Sequence, residues 1–126
     1  MLSLEQQITI LTNRWCSYVA VDHHKDRDCH FWIEKMWSYG NAPKYSAHHH
    51  GYIGNSYDTP KFDTEEDAML WMIAKLRNEI EGAVRFLERT EYWDENDKVG
   101  FPAYELSGLT ESKANDIIKM LKAEVK

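Results

Sequence analysis

The chain lacks any run of about 18 apolar residues, the length a helix needs to cross a bilayer, so no membrane span is expected. Its N-terminus, MLSLEQQITIL, has no basic opening segment and carries Glu5 and two glutamines, which does not match a secretory signal. Cysteine is scarce. Cys16 and Cys29 are the only two, too few for the disulfide framework of a small secreted domain, and a cytoplasmic protein with two thiols is expected. Positive charge is also in deficit. With 15 lysines and arginines against 21 aspartates and glutamates, the net charge is −6, and no dense basic patch is present to hold a polynucleotide backbone. Double-stranded nucleic acid is therefore not an expected partner. There is no Gly-x-Ser-x-Gly, no phosphate-cradling glycine loop, no CxxC pair and no HExxH. These absences point away from enzyme classes that carry a short diagnostic motif.

What is present is an ordinary composition for one globular domain: 126 residues, 43% hydrophobic and 29% charged, enough to bury a core without staples. Aromatic residues make up 13%. In a small acidic domain that content leaves adhesive surface to cover, so a homo-oligomer is expected. The charge is uneven. Residues 1–53 hold five basic and five acidic side chains, and residues 54–126 hold the other 10 and 16. All six histidines and both cysteines lie between Arg14 and Ile53. That segment would turn positive in mild acid, because imidazole titrates at about pH 6.5.

The patterning predicts an α+β fold. Leu4, Ile8 and Leu11 share one helical face over residues 3–12, with Ser3 and Gln6 spaced as a capping box. Residues 14–22 alternate, Trp15, Ser17, Val19 and Val21 against Cys16, Tyr18, Ala20 and Asp22, which predicts a strand. Residues 29–39 and 44–53 alternate too, separated by a turn at 38–43 that contains Gly40, Asn41 and Pro43. Matching the apolar sets places Val21 opposite Phe31, Val19 opposite Ile33 and Trp15 opposite Trp37, giving a three-stranded antiparallel meander over 14–53. A long helix follows over 63–89, with Asp63 as N-cap and Glu66 reaching back. Met69, Ile73, Leu76, Ile80, Ala83 and Leu87 recur along it at spacings of four and three, and Leu70, Trp71 and Ala74 widen the seam. Residues 91–109 read as an acidic aromatic loop folding over the body or a ligand. Thr110 then caps a C-terminal helix over 110–125, with Ala114, Ile117, Ile118, Leu121 and Val125 on one face.

The order helix, three strands, helix is similar to that of double-stranded-RNA-binding domains. Three strands entering a helix that opens Phe62-Asp63-Thr64-Glu65-Glu66-Asp67-Ala68 resembles the plant ethylene-response type of DNA-binding domain. The first family implies lysines at the start of the second helix to hold phosphates, whereas Glu65, Glu66 and Asp67 repel them. The second implies an arginine-rich sheet, which is absent. Asp22-His23-His24 resembles the signature of the DHH phosphoesterases, which implies further aspartates on a larger α/β scaffold that this chain does not carry. None of these functions is carried over.

The face opposite the apolar one collects Tyr18, His30, Trp32, Glu34, Met36, His48, His50 and Tyr52. Flat aromatic rings there can stack on a planar group, while imidazoles, Arg27 and other cations meet phosphate or carboxylate, and Trp93 closes the site from the 91–109 loop. The expected function is non-catalytic: capture of a small anionic, nucleotide-like ligand on this histidine–aromatic face, with no cofactor. Phage and mobile-element proteins that sequester a host signal are of this type. The first alternative is an acidic protein-interaction module that inhibits a nucleic-acid-binding partner. The second is a metal-dependent hydrolase, with zinc on His30, His48 and His50 and Glu34 beside it. His48 and His50 would sit about 7 Å apart along one strand face.

Overall fold

The computed structural model describes residues 2–22, 30–37, 40–50, 59–89 and 102–125. In chain order these form helix α1 (Leu4–Asp22), strands β1 (His30–Met36) and β2 (Lys44–His50), helix α2 (Glu65–Leu87), a short 3₁₀ turn (Ala103–Ser107) and helix α3 (Glu111–Lys122). The class is α+β. Among the described residues, however, the sheet is a two-stranded antiparallel hairpin, not the three-stranded meander that alternation predicts.

The correction falls on residues 14–22, which continue α1 instead of forming a strand. Leu4, Ile8, Leu11, Trp15 and Tyr18 recur at spacings of four and three, so a helix gathers them on one face. Ile8, Leu11, Trp15 and Tyr18 are buried and Leu4 packs against them. Alternation sends Trp15 and Tyr18 to opposite sides of a strand, but here their rings meet at 5.5 Å and 43°. No proline or glycine interrupts the helix. The Ser17 hydroxyl donates to the Asn13 carbonyl one turn back at 2.9 Å, a bond that the helical backbone accommodates. At the N-terminus Ser3 and Gln6 form a reciprocal capping box: Gln6 N–H donates to Ser3 Oγ at 3.1 Å and Ser3 N–H to Gln6 Oε1 at 2.8 Å. The apolar stripe of α1 packs along α2, and that burial outweighs the modest β-propensity of Trp, Val and Tyr. The pairings of Val21 with Phe31, Val19 with Ile33 and Trp15 with Trp37 fall with the predicted strand. Cys16 is disulfide-bonded, not the free thiol expected; Cys29 lies outside the described residues.

β1 and β2 pair with Phe31 opposite His49, Ile33 opposite Ala47 and Lys35 opposite Tyr45, and the turn between them passes through Gly40 at φ 77°, a conformation that glycine adopts without a Cβ penalty. A two-stranded hairpin is marginal alone in water. This one is backed by α2, which packs chiefly on β2, and by α1 against β1. Ala47 is fully buried, and Phe31, Ile33 and Tyr45 on the same face join the core. On the outer edge of β2, Tyr45 and Phe62 exchange two backbone hydrogen bonds of 2.8 and 2.7 Å. They tie the approach to α2 onto the sheet.

The N-cap of α2 is Thr64, whose hydroxyl accepts from Asp67 N–H at 3.1 Å. Asp63 stands one residue too early to cap and instead pairs with Lys44 at the start of β2. Ile73, Leu76, Ile80, Ala83 and Leu87 are buried along the seam, and its N-terminal end is widened by Ala68 and Met72 and by Trp71 packed against the core, not by Leu70 and Ala74. Leu70 and Ala74 are exposed and Trp71 is half-buried. Thr64→Ala is expected to lower the unfolding free energy by about 1 kcal/mol, and Asp63→Ala by less because its exposed ion pair contributes little. Urea denaturation of both variants checks the assignment, since an equal or larger loss at Asp63 would return the cap to that residue. α3 is capped by Thr110, which accepts from Lys113 N–H at 3.2 Å, and it buries Ala114, Ile117 and Leu121. Of the predicted 91–109 loop, residues 91–101 lie outside the described residues. The 3₁₀ turn that follows buries Ala103 and lays Tyr104 against the core. None of the described helices is long and apolar enough to cross a membrane.

Candidate functional site

The even-numbered residues of β1 and β2 share one face of the hairpin, because side chains alternate along each strand. The register sets Trp32 opposite His48 and Glu34 opposite Ser46. Four side chains therefore converge from two cross-strand pairs, within the few ångströms at which such pairs interact.

His48 is the centre of the group. Its imidazole stacks on the Trp32 indole, with ring centroids 5.4 Å apart and planes 16° from parallel. Its Nε2 lies 2.6 Å from Ser46 Oγ and 3.1 Å from Glu34 Oε2. With the proton on Nε2, the imidazole donates to the carboxylate and to the hydroxyl oxygen together. The other ring nitrogen, Nδ1, is buried and has no hydrogen-bond partner. Exposure grades steeply across the cluster: Ser46 is 1% and His48 6% exposed, while the Glu34 side chain is 53% and Trp32 39% exposed. The buried pair thus anchors two side chains that reach water.

The geometry separates this cluster from a nucleophilic relay. A serine–histidine–acid relay places the hydroxyl and the carboxylate on opposite ring nitrogens, so that one nitrogen takes the proton while the other is held by the acid. Here Ser46 and Glu34 meet the same nitrogen. Ser46 is moreover closed to any substrate by its burial. The arrangement fixes an indole and a carboxylate in place; it does not activate the serine. Ser46 was visible in the sequence two residues before His48 on the same strand face, and only its partner nitrogen gives it a role.

Of the other residues that alternation gathers into one site, Tyr18 leaves it, His30 and His50 keep their positions on its face, and the rest lie outside the described residues. Tyr18 lies on α1, buried against Trp15, and its place on the sheet face is overturned together with the first strand. His30 and His50 pair with each other at the end of the hairpin. Arg27, Tyr52 and Trp93 lie outside the described residues, as do His23 and His24. For the zinc alternative, no group of three histidine, cysteine, aspartate or glutamate side chains comes together among the described residues. Glu34 and His48 are in contact, and they are already bonded to each other.

On the opposite face, near the turn, the Lys35 ammonium sits 4.3 Å from the centre of the Trp37 ring and 5.8 Å from that of Tyr45, a cation–π arrangement. Trp37 is 72% exposed. Compared with known proteins, the chain matches no family model, no curated protein and no solved structure.

Proposed function

We propose that this protein is a non-catalytic binding protein that captures a small anionic, nucleotide-like ligand on the Trp32–His48 face of the hairpin. The observation that carries the reading is the partly exposed Trp32 ring held in a fixed plane by the stacked, buried His48. A ring that is already oriented loses little freedom when a planar group stacks on it. Beside it, Glu34 offers an exposed carboxylate, held at one oxygen by His48. A carboxylate next to a stacking platform suits a base edge rich in N–H donors, such as that of guanine, because it accepts two donors side by side.

The acidic charge of the chain, −6, supports a mononucleotide over a polynucleotide. One or two phosphates suffer far less repulsion than a continuous backbone. Capture without turnover fits a role in sequestering a signal, of the kind found in phage and mobile-element proteins. A disulfide at Cys16 fits an oxidising compartment better than a cytoplasmic one. A homo-oligomer would cover the exposed Trp37 and Leu70.

The test is a fluorescence titration with guanosine monophosphate, in parallel with inorganic phosphate. Saturable tryptophan quenching by the nucleotide, absent with phosphate alone, is the expected result. Equal responses to both, or no saturation up to millimolar concentrations, would exclude base capture on this face.

A further inference from the structure

The protein has a second concavity, made by the three helices and the segment that follows α3 and built from residues remote in sequence. Its floor is apolar: Leu11 of α1, Ile80 and Val84 of α2 and Leu121 of α3. Its volume is about 690 Å³, inside the range of roughly 300–1,000 Å³ typical of small-molecule sites. One wall is the chain that leaves α3. Arg14 of α1 donates from Nη1 to the Ala123 carbonyl and from Nη2 to the Glu124 carbonyl, the latter at 3.2 Å. Lys122 meets Glu88 of α2 at 3.1 Å. These two ties fasten the end of α3 to α1 and α2 and keep the cleft's shape.

The charge of the lining runs against that of the molecule. Four cations, Arg14, Arg77, Arg85 and Lys122, face three carboxylates, Glu81, Glu88 and Glu124, in a chain whose net charge is −6. Most of these cations are engaged. Arg14 holds the α3 carbonyls, Lys122 pairs with Glu88, and Arg85 approaches Glu81 at 3.9 Å. Arg77 lines the same cleft and makes no ion pair or hydrogen bond among the described residues. It lies three and seven residues before Ile80 and Val84, so it stands on the same face of α2 as the apolar floor.

We infer that this interhelical cleft is a binding site for a small amphipathic carboxylate, its apolar body on Leu11, Ile80, Val84 and Leu121 and its carboxylate on Arg77. A guanidinium offers a planar fork of donors that matches a carboxylate, and the floor removes the ligand's apolar surface from water. The inference does not rest on the sheet-face reading, because the two sites share no residue.

The probe is octanoate, with octylammonium as the same body carrying the opposite charge. Both are titrated into the ¹⁵N-labelled full chain and followed by amide shifts. Octanoate is expected to bind saturably at about millimolar concentration or tighter, shifting Leu11, Ile80, Val84 and Leu121, and octylammonium to bind more weakly. Arg77→Ala is expected to raise the octanoate Kd about threefold and Arg77→Glu about tenfold, the scale of an exposed ion pair lost or reversed. Arg77→Glu should also favour octylammonium. The inference is overturned by non-saturating shifts, by shifts mapping elsewhere, by equal binding of the two probes to the unmodified chain, or by an octanoate Kd indifferent to Arg77. The comparison of probes on the unmodified protein decides the matter even if a variant fails to fold.

Discussion

Leu76→Ala is expected to lower the unfolding free energy by roughly 2–5 kcal/mol, the range for deleting a fully enclosed leucine side chain. Leu76 is 0% exposed and sits midway along the α2 seam. The seam is where the molecule is joined: α1, both strands, the 3₁₀ turn and α3 all pack on α2, and Leu76 shares one continuous core with Ile8, Met72 and Ala47. The cavity left by truncation is bounded by several elements, each tied to others, so collapse is restricted and the cost falls toward the upper part of the range. A domain of this length has a total stability of about 6–15 kcal/mol, so the variant loses a large share of it. Leu70→Ala on the same helix is the control, since Leu70 is exposed and should change stability by less than about 0.5 kcal/mol. Urea melts of the two variants measure the difference. Near-equal losses would mean that the seam is misplaced by one residue and that α2 presents another face to the sheet.

Trp32→Ala carries the second large effect, on binding and not on folding. Removing a base-stacking aromatic costs about 1–3 kcal/mol of affinity, a loss of roughly 5- to 150-fold in Kd. Trp32 is partly exposed and not part of the buried core, so the variant is expected to keep its far-ultraviolet circular dichroism. A second variant separates stacking from recognition of the base edge. Glu34→Gln keeps the shape of the side chain but replaces one acceptor oxygen by a donor. It should weaken guanosine monophosphate while leaving a nucleotide without those paired N–H donors nearly unaffected. If Trp32→Ala leaves guanosine monophosphate binding within twofold of the unmodified protein, the Trp32–His48 face is not the site.

His48 links the two results. Its burial against Ser46 and Trp32 joins the platform to the rigid part of the hairpin. The buried and unpartnered Nδ1 is tolerated because an unbonded acceptor on one atom is offset by two contacts at Nε2 and by the stacked ring. Ser46→Ala would leave the Glu34 contact intact, so its effect on guanosine monophosphate binding should be smaller than that of Trp32→Ala.

Much of this architecture was legible in the residues themselves. The α2 seam is long and strictly spaced, and the burial of Ile73, Leu76, Ile80, Ala83 and Leu87 follows from a period that only a helix can satisfy. Strands β1 and β2 follow from alternation on both sides of a turn through Gly40 and Asn41. Residues 14–22 are compatible with both periods. Trp15, Val19 and Val21 alternate, while Trp15 and Tyr18 also extend the Leu4–Ile8–Leu11 stripe at spacings of four and three. A nine-residue window of aromatic and β-branched residues does not choose between these readings, because both bury Trp15. What chooses is the partner: once α2 offers an apolar stripe of its own, a continuous α1 buries four large side chains against it without breaking its backbone hydrogen bonds.

The sequence by itself determined the local periods and the capping residues Ser3 and Thr110, since these depend on neighbours within a few positions, whereas the hairpin register that puts Trp32, Glu34 and His48 together came from the structure. The tertiary structure alone decided which groups are closed to water. It buries Ser46 and His48 on a face whose polarity suggested solvent, and it gives Ser46 and Glu34 the same nitrogen of one imidazole. It alone also assembled the interhelical cleft, where Arg14 reaches carbonyls 109 and 110 residues away. Periodicity reports the direction a side chain takes from its own backbone, whereas burial and contact depend on what the rest of the chain brings to meet it, which no local spacing encodes.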